Sequence, residues 1–155
     1  MLEILQAESG ENLERVCTLF GEYADTLDFD LDFQDFEEEL TNLPGDYNRP
    51  AGCLLLALYK GQPVGCVGLR KLSEGVCEMK RLYVKERFRD LGIGRALAEA
   101  VIEEAGKIGY KYMRLDTVPA MEAARALYIS LGFKQTSAYR YNPIEGAVFM
   151  ELKLV

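Results

Sequence analysis

The segment at residues 78–97, EMKRLYVKERFRDLGIGRAL, contains the pattern that decides the fold. It predicts a short strand, then a basic loop with two glycines, then the first turn of a helix. The first turn of a helix carries backbone N–H groups without intrahelical partners and the positive end of the helix dipole. Arginines nearby add charge-assisted hydrogen bonds. The segment therefore predicts a binding site for a phosphate-bearing molecule.

The chain otherwise has the composition of an ordinary globular protein. Its 155 residues predict a single domain, residues 1–155, with a core of its own. The longest strongly apolar run, residues 52–59, is far too short to span a bilayer, and the N-terminus lacks the basic region of a signal peptide. A cytoplasmic location is the resulting expectation. The four cysteines have no paired close spacing and are predicted to be buried free thiols.

The chain contains no histidine. This excludes mechanisms with a histidine base, and it leaves few options for a transition-metal site, so no metal is expected. Any base must be a carboxylate, a tyrosine or water.

The formal charge of −7 is unevenly distributed. Residues 16–48 contain no Lys or Arg, whereas residues 80–95 contain six of them against two acids. A globally acidic chain with one basic loop argues against general nucleic-acid binding and favours a small anionic ligand at that loop. The acidic stretch is interpreted either as a solvated face or as a wall that attracts a cationic substrate.

Periodicity and turn signals predict the order of the secondary-structure elements. The predicted strands are residues 2–7, 52–59, 64–71, 76–84, 112–117, 133–141 and 147–154. The predicted helices start after Ser9, at Asp32 and continuing to about residue 43, at residues 92–108, and at residues 121–131. This order predicts one mixed sheet with helices on both faces. Glu78 and Lys80 interrupt the apolar side of the strand at residues 76–84, which indicates a bulge or a functional carboxylate.

Two familiar phosphate motifs fit the glycine loop poorly. A P-loop needs Gly-Lys-Ser/Thr, and residues 94–96 supply neither the lysine nor the hydroxyl. The dinucleotide fingerprint is matched by Gly92, Gly94 and Asp116, but Leu97 occupies the position of the third small residue. A dinucleotide-dependent oxidoreductase therefore remains an alternative.

A family resemblance rests on three motifs. Arg89, Gly92 and Gly94 match the phosphate signature Arg/Gln-x-x-Gly-x-Gly/Ala of the GNAT superfamily of N-acetyltransferases. MKRLYV, residues 79–84, resembles the fourth strand of that family, and ARALYISLGF, residues 124–133, resembles its second conserved block. The resemblance covers essentially the whole chain. It implies an α/β GNAT fold, with a mixed and mostly antiparallel sheet of about seven strands and helices on both faces.

The resemblance also implies a site for acetyl-CoA. The backbone of the fourth strand would pair with the pantetheine arm like an added strand, and the loop and helix start would hold the pyrophosphate. The implied cofactor-binding residues are Leu82, Tyr83, Val84, Arg87, Arg89, Asp90, Leu91, Gly92, Ile93, Gly94 and Arg95.

Two catalytic residues follow from the resemblance. Tyr128 occupies the position of the family's general acid, which protonates the departing thiolate, and a phenol is suited to that role because it is protonated at neutral pH. Glu78 matches a catalytic glutamate of some members, with a structural salt bridge as the equal alternative. Many members carry asparagine where this chain has Met121, so a contact to the cofactor arm is lost or replaced.

The expected function is transfer of acetyl from acetyl-CoA to a primary amine by direct attack. The resemblance implies that the first two helices and residues 139–146 shape the acceptor site, and acids such as Asp28, Asp30 and Asp32 suggest a polyamine, an aminoglycoside or a lysine-bearing peptide. The expected partner is thus a small-molecule or peptide amine, without nucleic acid or membrane, and a homodimer is left open. A non-catalytic acyl-CoA-binding module is a further alternative.

Overall fold

The computed structural model describes residues 1–27, 35–118 and 121–154. The strands are β1 (Leu2–Gln6), β2 (Cys53–Tyr59), β3 (Gln62–Ser73), β4 (Val76–Val84), β5 (Tyr112–Thr117), β6 (Lys134–Thr136) and β7 (Val148–Lys153). The helices are α1 (Gly10–Thr26), α2 (Phe36–Thr41), α3 (Ile93–Ile108) and α4 (Glu122–Ser130). One seven-stranded sheet has the order β1-β2-β3-β4-β5-β7-β6, and only the β4–β5 pair is parallel. The predicted mixed, mostly antiparallel sheet is confirmed.

Two apolar clusters lie on opposite faces of this sheet. On one face, Leu97 and Val101 of α3 pack with Val67 and Met113 of the strands. On the other face, Phe20 of α1 packs in a cluster that contains strand residues and Phe36 of α2. Burial of each large apolar side chain contributes roughly 1.5–3 kcal/mol, so both helical layers are held firmly. The predicted placement of helices on both faces is confirmed.

Two predicted elements differ from the structure. The strand predicted at residues 133–141 ends at Thr136, because Tyr139 and Arg140 leave the sheet edge to contact Glu78. The second helix is only Phe36–Thr41 with Asp35 at its N-cap, and the predicted cap Asp32 lies outside the described residues.

The four cysteines are free thiols, as predicted. Cys53, Cys66 and Cys77 are buried and Cys17 is half-buried. Burial raises the pKa of the Cys53 and Cys77 thiols to about 12, so both are protonated and unreactive at neutral pH. Within the described ranges, none of the helices combines the length and apolar character needed to cross a bilayer.

The feature that creates the site is the divergence of β4 from β5. The two strands pair at Val76, Cys77 and Glu78, and within the described residues their pairing goes no further. β4 continues beside β3 to Val84, with a shift in register where Arg81 adopts a φ of +61°. This confirms the bulge that the interrupted alternation indicates. Beyond it, the β5-facing edge of β4 is open.

Candidate active site

A groove of about 760 Å³ runs along the open end of β4 to the start of α3. It is lined by nine of the eleven residues predicted to bind the cofactor: Leu82, Tyr83, Val84, Arg89, Asp90, Gly92, Ile93, Gly94 and Arg95. Arg87 and Leu91 are exposed beside the groove and do not line it. The structure therefore brings most of the predicted residues together around one space.

The phosphate end of this groove is the N-terminus of α3. Gly92 has a φ of +80°, a left-handed conformation that glycine adopts without steric cost, and its carbonyl begins the helix by accepting from the N–H of Ala96 at 3.0 Å. The N–H groups of the first turn, together with the positive end of the helix dipole, then serve an anion in the groove. These features fit the pyrophosphate of a nucleotide-bearing cofactor.

Two arginines are fixed at the rim of the groove. Arg89 donates from Nε to the carbonyl of Val84 at 2.9 Å, which ties the loop to the end of β4. Arg95 donates to the hydroxyl of Ser130 and lies 3.9 Å from Glu99. Because the protein orients both side chains, their positive charges lie near the N-terminus of α3 in the absence of a ligand.

The groove continues into a small cavity of about 60 Å³ between the diverging strands. Groove and cavity share Tyr23, Leu82, Met121 and Ala124 in their walls. The remaining cavity lining comes from β4, from the end of β5 and from α4: Met79, Lys80, Arg81, Leu115, Asp116, Thr117, Val118, Tyr128 and Asn142, the last from the segment before β7. A ligand with its phosphates at α3 can therefore extend its other end into this cavity.

Tyr128, the predicted general acid, lies in the wall of this cavity. Its ring packs on Phe133 with centroids 5.7 Å apart. Burial raises the pKa of Tyr128, with smaller contributions from Tyr23 and Asp116. The phenol is therefore protonated at neutral pH and can donate a proton to a group in the cavity.

Met121 begins α4 and faces both the groove and the cavity. The hydroxyl of Tyr23 lies 4.0 Å from its sulfur, and burial raises the pKa of Tyr23 to about 12. Met121 thus accepts a contact from the Tyr23 hydroxyl of α1 at a position where many GNAT proteins carry a polar side chain.

Glu78 is fully buried and is not part of the cavity wall. Its carboxylate accepts from Arg70 Nε at 2.8 Å and from the Tyr139 hydroxyl at 2.7 Å, and it also pairs with Arg140. Burial pushes its pKa upward, but the charges of Lys80, Arg140 and Arg70 outweigh burial and lower the pKa. This geometry favours the salt-bridge alternative, in which Glu78 ties β4 to the segment before β7.

Part of the acidic stretch is used inside the fold. Glu39 of α2 receives two hydrogen bonds from Arg81, at 2.9 and 3.0 Å. Glu22 accepts from the Tyr83 hydroxyl at 3.3 Å and lies 3.7 Å from Lys85. These two acids therefore make contacts that stabilise β4. The predicted acceptor-site acids at positions 28, 30 and 32 lie outside the described residues.

Lys80 and Asp116 line the cavity, and the sequence did not assign either of them to it. Burial lowers the pKa of Lys80 to about 7. The negative charge of Glu78 opposes this shift, and the positive charges of Arg81, Arg140 and Arg70 add to it. Lys80 and Glu78 are two positions apart in the predicted strand, so the sequence places both side chains on one face. This was the only sequence pattern that indicated a polar inner face. From the sequence, Asp116 was considered as a ribose-binding acid and, with Thr117, as a replacement for the family asparagine at Met121.

Comparison with known proteins identifies the family. A model of the acetyltransferase (GNAT) family matches residues 13–133. The chain belongs to the GNAT acetyltransferase family. It is 38% identical over 146 residues to an uncharacterized N-acetyltransferase of Schizosaccharomyces pombe, an alignment that covers 93% of this chain and 90% of that protein. The GNAT resemblance inferred from the sequence motifs is thus confirmed, and the chain is an acyltransferase enzyme.

Two further similarities bear on ligand and acceptor. The chain is 34% identical over 110 residues to human N-acetylaspartate synthetase, covering 70% of this chain but 36% of that protein. The crystal structure of PaiA N-acetyltransferase from Thermoplasma acidophilum, in complex with coenzyme A, has the same fold, with a TM-score of 0.75 at 19% identity over 99% of both chains. As a GNAT protein, this chain catalyses acyl transfer in general terms.

Proposed function

We propose that this GNAT protein transfers the acetyl group of acetyl-CoA to a primary amine by direct attack. The observation that carries the proposal is the continuity between the groove at the start of α3 and the cavity that contains Tyr128. Acetyl-CoA supplies an acetyl group activated as a thioester. The groove is lined by nine of the predicted cofactor residues, and its far end meets a protonated phenol.

The residues of the chain have separate tasks in this reaction. The open edge of β4 offers backbone groups that pair with an extended ligand arm, and one N–H of that edge polarises the thioester carbonyl. Tyr128 gives its proton to the sulfur as the C–S bond breaks, because a thiol leaves more readily than a thiolate. The amine attacks directly, and the buried cysteines take no part.

The acceptor is proposed to be a primary amine of one of two classes. The acidic segment from Glu22 to Glu39 suggests a cationic acceptor, such as a polyamine, an aminoglycoside or a lysine-bearing peptide. The similarity to N-acetylaspartate synthetase supports a second class, an amino acid. A panel of spermidine, kanamycin, a lysine peptide and L-aspartate, assayed by release of the CoA thiol, separates the classes.

Ligand binding is tested by thermal denaturation of the intact protein with CoA, acetyl-CoA and NADH in parallel. At about 100 times the dissociation constant, CoA and acetyl-CoA are expected to add ~2.7 kcal/mol to the free energy of unfolding, which raises Tm by several degrees. NADH is expected to leave Tm unchanged. A Tm raised by NADH and not by CoA would contradict the proposal, and CoA binding without turnover of any amine in the panel would favour a binding module.

A further inference from the structure

Asp116 stands near the end of β5, where this strand borders the cavity. Within the described residues it is the carboxylate that lines the cavity together with Tyr128. Tyr128 and Tyr23 line the same cavity of about 60 Å³, so the carboxylate borders the same small space as both phenols. Asp116 is therefore near the place where the proposed acid meets the sulfur.

Among the described residues, only one oxygen of the Asp116 carboxylate has a hydrogen-bond partner. Asn142 donates from Nδ2 to Asp116 Oδ2 at 3.0 Å, while its own Oδ1 accepts the backbone N–H of Ile144 at 2.9 Å. The second contact fixes which way the Asn142 amide points. The other oxygen, Asp116 Oδ1, has no hydrogen bond within the parts of the chain that the structure describes.

The adjacent residue, Thr117, presents a second polar atom without a partner. Its side chain is buried with 3% exposure and lines the same cavity. Its Oγ1 atom makes no hydrogen bond to any described residue. A buried polar group is normally satisfied, since leaving it unpaired costs about 1–3 kcal/mol. Thr117 Oγ1 is thus a buried polar atom beside the cavity without a partner among the described residues.

Glu78, the other candidate carboxylate, is already committed. Its oxygens are engaged by Arg70, Tyr139 and Arg140, and it does not reach the cavity wall. Tyr139 and Arg140 lie three and two residues before Asn142 in the chain, so Glu78 is connected to the cavity through the segment that carries the Asp116 partner. This makes Glu78 a positioning residue.

We propose that Asp116 receives the amine nitrogen of the acceptor, an inference that rests on the proposed acetyltransferase function. An amine donates a hydrogen bond from N–H whether or not it is protonated, so Asp116 Oδ1 holds the nitrogen in both states. With one N–H on the carboxylate, the nitrogen lone pair is free to face the thioester carbon once the extra proton has left to solvent.

The test is steady-state kinetics of Asp116→Asn, with spermidine, kanamycin, a lysine peptide and L-aspartate as the amines and release of CoA thiol as the readout. Loss of a charge-assisted hydrogen bond to the reacting nitrogen is expected to raise the amine KM roughly 10- to 100-fold. The KM for acetyl-CoA is expected to stay within about twofold, because the carboxylate is not part of the groove wall. Because the contact is to the reacting amine itself, the effect is expected with every amine that wild type accepts.

A matched control and a second variant keep the result interpretable. Glu74→Gln removes the same charge from an exposed position in the β3–β4 turn and is expected to leave all kinetic constants at wild-type values. Asn142→Ala keeps the carboxylate but removes its orienting partner, and it is expected to raise the amine KM by a smaller factor than Asp116→Asn. The CoA-induced rise in Tm, measured for each variant, checks that the groove is intact.

The outcomes separate the two claims. An amine KM that Asp116→Asn and Asn142→Ala both leave at the wild-type value, with wild type active, would overturn the role of Asp116 alone. Wild type that releases no thiol with any of the four amines would overturn the acetyltransferase proposal and the role of Asp116 with it. A selective rise in amine KM in both variants, larger for Asp116→Asn, supports the inference.

Discussion

Replacing Tyr128 with phenylalanine is expected to lower kcat for acetyl transfer by about 100-fold or more, since general acid catalysis typically contributes 10²- to 10⁴-fold. The aromatic ring and its packing on Phe133 are retained, so the protein should fold normally. Only the proton that the sulfur would receive is lost. Stopped-time assays of CoA thiol release, at saturating acetyl-CoA and amine, measure kcat directly.

The binding steps of the Tyr128→Phe variant should be unchanged. Tyr128 is not among the residues that line the groove, so the CoA-induced rise in Tm should match that of wild type. Tyr112→Phe is the matched control, because Tyr112 is 36% exposed at the start of β5, lines neither the groove nor the cavity, and should leave kcat unaffected when its hydroxyl is removed. A Tyr128→Phe enzyme with wild-type kcat would remove Tyr128 from the mechanism.

Replacing Glu78 with glutamine is expected to lower the free energy of unfolding by about 3–5 kcal/mol, the usual cost of removing one partner from a buried ion pair. The carboxylate is fully buried, and its removal takes from Arg140 and Arg70 their buried counter-charge, although Arg70 keeps the exposed Asp46 at 3.9 Å. Urea denaturation followed by circular dichroism gives the difference. An account in which Glu78 is only a catalytic base predicts a lower kcat with unchanged stability.

The stabilisation by Glu78 has a defined pH dependence. Its pKa in the folded protein is lowered from the ordinary value of about 4.5, so its contribution is complete above that pH and is lost as the pH falls through the folded-state pKa. Wild type should therefore lose stability in acid more steeply than Glu78→Gln. Glu151→Gln serves as the comparison, because the Arg114–Glu151 pair is partly exposed and should contribute only about 0–1 kcal/mol. Equal losses in the two variants would contradict the role assigned to Glu78.

The fold was predicted well wherever one local signal was enough. The glycines at 92 and 109 mark both ends of α3, and Lys60 and Gly61 form the tight turn of the β2–β3 hairpin, each with positive φ. The strand predicted at residues 133–141 was wrong beyond Thr136, since the contacts of Tyr139 and Arg140 with Glu78 join residues about sixty positions apart. Periodicity within a segment carries no information about such contacts.

The site was predicted to a similar depth. The cofactor loop and Tyr128 carry motifs of their own, and the structure places most of them around one continuous space. Asp116 lines the cavity because β4 and β5 separate before this position in β5. Its carboxylate is oriented by Asn142, which lies twenty-six positions later in the chain. Neither relation leaves a pattern in the sequence, so the position of Asp116 in the cavity became visible only in the structure.

The most direct test of the account is to follow the acetyl group itself. The protein is incubated with acetyl-CoA labelled with ¹³C in the acetyl group and with each amine of the panel, and the products and the protein are analysed by mass spectrometry. The account predicts labelled N-acetyl amine in an amount equal to the CoA thiol released, with no label on the protein. Thiol release without labelled amide, or label retained on a cysteine, would contradict direct transfer to an amine.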